Sequence, residues 1–254
     1  MNDWKKISEK EEVLLWSIQN EIHYNSEKIY FGSSILRYKH LLNFFKSEKK
    51  GLVLDLGCSP GHNTQILLKL GFEVVGIDLN ELYLKKYNPK WLDLFNLTIS
   101  NIERSDLPFK DETFDYIVFT EVLEHIAIKD PIIIFKEIRR ILKPRGIIYL
   151  STPNVANISN QISLLFNQNI FWSPEIFYGS LDRHNREYVS GEVKNLLRES
   201  GFNSIEIGYF NAHSNWNSKT PDFFKPLLFL LTESGLNGKI NYLFNNTIFA
   251  IARK

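Results

Sequence analysis

From residue 11 to residue 45 the apolar side chains Val13, Leu14, Leu15, Trp16 and Ile18, then Ile35, Leu36, Leu41, Leu42 and Phe45, recur at helical spacing. This predicts two or three helices with a break around 30–34, where Gly32 sits. After the charged stretch 46–50 the pattern changes to an unbroken apolar run, 52–56, ending in Gly57, which reads as a buried parallel strand. A helix from about 63 to 70 follows and stops at Gly71. The alternation continues with a strand at 73–77, a helix at 80–86 and strands at 97–99 and 114–120. Pro131 opens a helix whose Ile134, Ile138 and Ile141 share a face, and Lys143, Pro144, Arg145 and Gly146 close it before a strand at 147–151. Strands alternating with helices imply a parallel, doubly wound α/β sheet.

The last third changes character. Residues 153–178, rich in Asn, Ser and aromatics, read as an insertion over the sheet edge; 190–200 reads as a helix, and 202–209 as a strand whose partner is 247–252. Between those strands, 211–246 groups apolar residues around Pro226. With no internal repeat or low-complexity linker, a single domain over 1–254 is expected: a helical cap (1–50), a cofactor-binding core (51–152), and a substrate-side insertion with C-terminal strands (153–254).

Composition narrows the function classes. Lys plus Arg total 30 against 29 for Asp plus Glu, a net charge of +1, so no global field gathers phosphate backbones or anionic lipid. Nucleic acid is not the expected partner. The one cysteine, Cys58, cannot form an internal disulfide, and residues 1–12 are polar and charged, unlike a secretory signal. A reducing, cytoplasmic compartment is expected. The longest apolar stretch, 223–231, is broken by Lys225 and Pro226 and falls short of the roughly 20 residues that span a bilayer.

In an open parallel sheet, ligands collect beyond the carboxyl ends of the strands. The run Val53-Leu54-Asp55-Leu56-Gly57-Cys58-Ser59-Pro60-Gly61 lies there, and Gly57 and Gly61 let backbone approach a ligand. Asp78 ends the second strand 23 residues after Asp55, where a carboxylate can take both ribose hydroxyls. A dinucleotide site wants Gly-x-Gly-x-x-Gly, but Ser59 and His62 occupy the third and sixth positions. Asp55 would also repel a diphosphate while accepting an ammonium. A nucleoside bearing an amino acid fits better.

With Gly76-Ile77-Asp78, Asp106-Leu107-Pro108-Phe109, Phe114-Asp115-Tyr116-Ile117-Val118, Glu121-Val122-Leu123-Glu124-His125-Ile126 and Leu142-Lys143-Pro144 following in order, the chain resembles the class I S-adenosylmethionine-dependent methyltransferases over about 50–252. The resemblance implies a Rossmann-like seven-stranded, mostly parallel sheet with a reversed last strand, helices on both faces, and S-adenosylmethionine as cofactor with S-adenosylhomocysteine as product. It also implies that Asp55 and Gly57 lie along the methionine moiety, that Asp78 binds the ribose, and that Asn101 with the Ile102 backbone meets the adenine. Cys58, Ser59, Gly61, Leu79, Thr120 and Glu121 complete the cofactor set. Three positions depart from the family pattern: Asn101 replaces an Asp, Ser59 a middle glycine, and Arg145 the first glycine of a Lys-Pro-Gly-Gly turn.

Ser151-Thr152-Pro153-Asn154, Arg183-His184-Asn185-Arg186-Glu187-Tyr188 and Leu196-Leu197-Arg198-Glu199-Ser200-Gly201-Phe202 are similar to a subgroup associated with glycan and other secondary biosynthesis, and Glu-Val-Leu-Glu-His also occurs in ubiquinone-biosynthesis O-methyltransferases. The expected reaction is O-methylation of a small-molecule or glycan hydroxyl, with His125 or His184 as general base. Helix packing is the other role open to His125, and surface hydrogen bonding to His184. No metal is assigned; as an alternative, Glu121 and Glu124, three apart on one helical face, join His125 and His184 in a divalent-metal set. That set resembles the Glu-x-x-Glu-His cluster of small-RNA 2′-O-methyltransferases. A noncatalytic partner subunit is the third reading. Tyr24, Tyr30, Phe166, Phe171, Trp172 and Tyr178 are acceptor-wall or core candidates, 223–231 a peripheral membrane contact or packed helix pair, and Lys46, Lys49 and Lys50 a solvated face.

Overall fold

The structure, a computed structural model, describes residues 7–79, 81–87, 89–171, 173–179, 183–212 and 241–254. Seven strands, β1 (Leu52–Leu56), β2 (Glu73–Asp78), β3 (Asn96–Ile99), β4 (Phe114–Thr120), β5 (Leu142–Pro153), β6 (Asn203–Phe210) and β7 (Thr247–Arg253), form one sheet in the order β3-β2-β1-β4-β5-β7-β6. β1 to β5 run parallel, and β7 is antiparallel to both β5 and β6. The order reverses between β1 and β4, which opens the crevice where ligands bind in sheets of this kind.

Alternation along each strand sends successive side chains to opposite faces. Val53, Tyr116, Val118 and Tyr149 face the cap formed by α1 (Glu9–Glu21), α2 (Asn25–Ser33) and α3 (Ile35–Phe45), together with α4 (His62–Lys69). Leu54, Ile117, Phe119 and Leu150 face α6 (Pro131–Ile141) and α9 (Ser190–Glu199). Each face thus has its own core. α6 is sharply made: Asp130 accepts from the Ile132 amide, Pro131 occupies the first turn, and Ile134, Ile138 and Ile141 are buried. Truncating such a side chain to Ala costs about 2–5 kcal/mol.

The cap is bound to the sheet by rings as well as aliphatics. Phe31 stacks on Tyr38 at 4.3 Å, and Phe45 meets Phe72 and Tyr116 edge-on. His40 Nδ1 and the Tyr149 hydroxyl are 2.6 Å apart, and burial pushes the imidazole down to about 4, so it is neutral. The expected break in the cap is the single residue Ser34 between α2 and α3.

Several expectations shift. The segment after β2 forms α5 (Leu82–Tyr87) and then a 3-10 turn at Pro89–Leu94, rather than one helix over 80–86. β5 begins at Leu142, pairing with Phe114, and bulges before resuming at Ile147, so the closing turn belongs to the strand. The insertion with α7 (Ile158–Leu165) and α8 (Pro174–Gly179) leaves β5, an interior strand, and not a sheet edge. The helix expected after β4, carrying Glu121, Glu124 and His125, does not form: a 3-10 turn, Leu123–His125, takes its place. Glu121 just before it has φ +54, so Glu121 and Glu124 do not share a helical face. The stretch 223–231 and Trp172 lie outside the described residues. Among the described residues, no helix is long and apolar enough to cross a membrane.

Candidate active site

A cavity of about 950 Å³ opens over the carboxyl ends of β1, β2, β4 and β5. Gly57 at the end of β1 lines it with φ +81, and a Cβ there would meet Val122 Cγ2 at 2.3 Å. Glycine is therefore required twice over, by conformation and by space. Gly61, φ +97, caps α4 but packs against Leu84 and Trp91 and does not line the cavity. The turn is held by Gly57 and Cys58 amides donating to the Ile77 carbonyl at 2.8 and 3.1 Å.

Of the expected cofactor residues, Gly57, Cys58, Ser59, Asp78, Leu79, Asn101, Ile102, Thr120 and Glu121 line the cavity. Asp78 accepts from the Ser59 amide at 3.0 Å and from the Leu79 amide at 2.8 Å, so backbone fixes its carboxylate at the rim. Asn101 Oδ1 accepts from the Glu103 amide at 2.9 Å, which leaves one lone pair on that oxygen for a base. Asp55 is absent from the lining: it is buried one layer beneath, accepting from Thr64 Oγ1 at 2.6 Å, and burial lifts its carboxyl to about 7. Cys58 is buried, which drives its thiol far above the usual range. It acts as packing.

Sequence spacing gave no sign that the cap would enter the site. Arg37 of α3 lines the cavity, donating to Glu121 Oε2 at 2.9 Å and to the Tyr30 hydroxyl at 3.1 Å. Glu121 Oε1 in turn accepts from Ser151 Oγ at 2.7 Å. Burial opposes the Arg37 charge, but Glu121, Tyr30 and Tyr38 together outweigh it and hold the guanidinium protonated. The one available signal was a charged residue four positions before Leu41 on an otherwise apolar helix face. Glu27, Tyr38, His62 and Asn63 also line the cavity. Of the aromatic wall candidates among the described residues, only Tyr30 does so; Tyr24, Phe166, Phe171 and Tyr178 are exposed.

At the β5 end of the cavity His125 and His184 meet edge-on, ring centroids 5.1 Å apart. His125 Nδ1 donates to the Arg183 carbonyl at 2.9 Å, and His184 Nδ1 to Glu187 Oε1 at 2.8 Å. For His184, burial works to lower the pKa, but the Glu187 hydrogen bond and the charges of Glu124, Glu187 and Glu121 win and raise it. Glu124 is fully buried, accepts from Thr152 Oγ1 at 2.9 Å, and has its carboxyl pushed up by burial and by Glu121. Its Oε1 has no hydrogen-bond partner among the described residues. One ligand atom each from Glu124, His125 and His184 lies within 4.8 Å of the others, an oxygen and nitrogen set suited to a divalent ion. Glu121, engaged by Arg37 and Ser151, is outside that group.

The family model described as a methyltransferase domain matches residues 31–207. The chain belongs to this methyltransferase family. The methyltransferase is 27% identical over 187 residues to the demethylmenaquinone methyltransferase of Staphylococcus carnosus, covering 68% of this chain and 77% of the relative. It is 31% identical over 123 residues to the ubiquinone biosynthesis O-methyltransferase of Histophilus somni, covering 44% of this chain and about half, 51%, of that protein. The fold is similar to that of a SAM-dependent methyltransferase from Archaeoglobus fulgidus, with a TM-score of 0.58 and 20% identity over 86% of this chain and 91% of the other. The protein is thus an S-adenosylmethionine-dependent methyltransferase with the seven-stranded sheet and reversed last strand that the motifs implied. The site fits that cofactor: the Gly57 cradle admits backbone contact, and Ser59 Oγ and Asn63 Oδ1 are buried without hydrogen-bond partners among the described residues.

Proposed function

We propose that the methyltransferase methylates a hydroxyl oxygen of a small molecule or glycan, with His184 as general base. Bound S-adenosylmethionine supplies a methyl carbon activated by its sulfonium. What remains for the protein is to seat the acceptor, exclude water and remove the hydroxyl proton. The observation carrying this reading is the His184 to Glu187 hydrogen bond of 2.8 Å in the same cavity as Gly57 and Asp78. Glu187 holds the proton at Nδ1, so in the neutral ring Nε2 carries the lone pair. His125, fixed in the same sense by the Arg183 carbonyl, stands beside it. Asn154, Asn157 and Asn160 line the adjoining wall, which suits a hydroxylated acceptor. Asp78 would hold the ribose hydroxyls, Gly57 the methionine moiety, and Asn101 with Ile102 the adenine.

The test is His184→Ala. Loss of a general base lowers kcat by about 10²–10⁴-fold, while the affinity for S-adenosylhomocysteine is expected to stay within twofold of wild type. Unchanged turnover of a hydroxyl acceptor overturns the assignment.

A second reading rests on the closeness of Glu124, His125 and His184. These three would hold a divalent ion, which would acidify the acceptor hydroxyl, as in a metal-assisted RNA 2′-O-methyltransferase. Activity that vanishes with a chelator and returns with added Mg²⁺ or Mn²⁺ would favour it. The net charge of +1 weighs against an RNA acceptor, and a noncatalytic partner role sits poorly with the occupied glycine and acidic positions.

A further inference from the structure

His62, the first residue of α4, is 3% exposed and lines the cavity. Its Nδ1 lies 2.9 Å from the Tyr38 hydroxyl, and its Nε2 has no hydrogen-bond partner among the described residues. Burial, reinforced by Arg37, pushes the imidazole down to about 3, so the ring is neutral. The nearest carboxylate oxygen, Glu27 Oε2 of α2, stands 3.9 Å from Nε2. That is too long for a direct hydrogen bond, yet one nitrogen at the usual 2.7–3.2 Å from each atom spans the gap. Glu27 lines the same cavity, and its side chain is only 16% exposed. An unsatisfied buried imidazole nitrogen costs free energy unless something meets it.

The chemistry of the gap selects its occupant. If Nδ1–H donates to Tyr38, Nε2 is an acceptor, and beside it stands a second, anionic acceptor. A group with several N–H donors and a positive charge satisfies both; a carboxylate or phosphate satisfies neither. Arg37, with the opposite charge, lines the same wall, and Tyr30 connects the two, its ring stacked on His62 and its hydroxyl accepting from Arg37. Adjacent cationic and anionic groups match the ends of an α-amino acid.

We propose that Glu27 and His62 form the seat for the α-ammonium group at the amino-acid end of the cofactor, a contact supplied by the helical cap. The assignment rests on S-adenosylmethionine occupying this cavity. It makes the cap a component of cofactor recognition.

The test is calorimetric titration of wild type and Glu27→Gln with three probes: S-adenosylhomocysteine, 5′-methylthioadenosine, and an S-adenosylhomocysteine analogue with hydrogen in place of the α-amino group. Expected is an affinity for S-adenosylhomocysteine at least tenfold weaker in the variant, with no change for either probe lacking the amine. The deaminated analogue is expected to bind wild type about tenfold more weakly than S-adenosylhomocysteine, an arm independent of how the variant folds. Equal binding of S-adenosylhomocysteine by both proteins, or an equal loss for all three probes, overturns the seat. Failure of wild type to bind any of the three overturns instead the cofactor placement on which it depends.

Discussion

Arg37 donates to Glu121 at 2.9 Å across 84 residues of sequence, joining the cap helix α3 to the turn that follows β4. Both side chains are largely buried, and Glu121 is held at φ +54, a conformation that non-glycine residues adopt at a cost of about 1–2 kcal/mol. Removing one partner of such a pair leaves the other charge without compensation. Arg37→Met is therefore expected to destabilise the fold by about 2–3 kcal/mol, less than for a fully buried pair because Glu121 keeps some solvent contact. Urea denaturation measures it; an unchanged midpoint would mean the pair contributes no net stability.

Asp55 sets a pH dependence. Its folded pKa of about 7 lies above the ordinary 3.8, because burial disfavours the charge. The folded protein therefore keeps a proton that the unfolded chain releases. Its stabilising contribution is full below about pH 3.8 and declines as pH rises towards about 7, with a slope of at most about 1.4 kcal/mol per pH unit. Between pH 5 and pH 7 the ligand-free protein is expected to lose stability relative to Asp55→Asn, a comparison in which the opposite contributions of the buried, neutral His40 and His62 cancel. Buried Glu124, also raised, adds a decline of the same sign that this variant keeps. Identical slopes for both proteins would exclude the Asp55 contribution.

Arg145 has φ +65 at an exposed position where the related motif places glycine. Relief of the left-handed strain exceeds the extra chain entropy of glycine only modestly. Arg145→Gly is expected to raise stability by about 0.5–1 kcal/mol, read as a higher denaturation midpoint with unaltered turnover. A lower midpoint would show that the arginine side chain contributes more than its backbone costs.

What the sequence made legible follows from how locally each feature is encoded. β1, the Gly57 turn and Asp78 were readable because an apolar run, a glycine and a terminal carboxylate are adjacent in the chain. β6 and β7 were visible as separate strands for the same reason, although their antiparallel arrangement came only with the family resemblance. The contributions of Arg37, Glu27 and His62 to the cavity were not readable, since they depend on how the cap lies over the sheet. Glu121 misled in another way: the Glu-x-x-Glu spacing suggested one helical face, whereas its positive φ and its bonds to Arg37 and Ser151 turn it from Glu124. Asp55 was expected in contact with the ligand, whereas it is absent from the cavity lining and buried against Thr64.

The central claim, that the nucleoside of the cofactor is held at the head of β1 and β2, is tested most directly by calorimetric titration of wild type and Asp78→Ala with S-adenosylhomocysteine. One site per chain is expected in wild type. The variant is expected to lose about 2 kcal/mol or more, the loss appropriate to charge-assisted hydrogen bonds to the ribose and about 30-fold in affinity. Equal affinity in the two proteins, or a wild type that binds a nicotinamide dinucleotide in preference to S-adenosylhomocysteine, would contradict it.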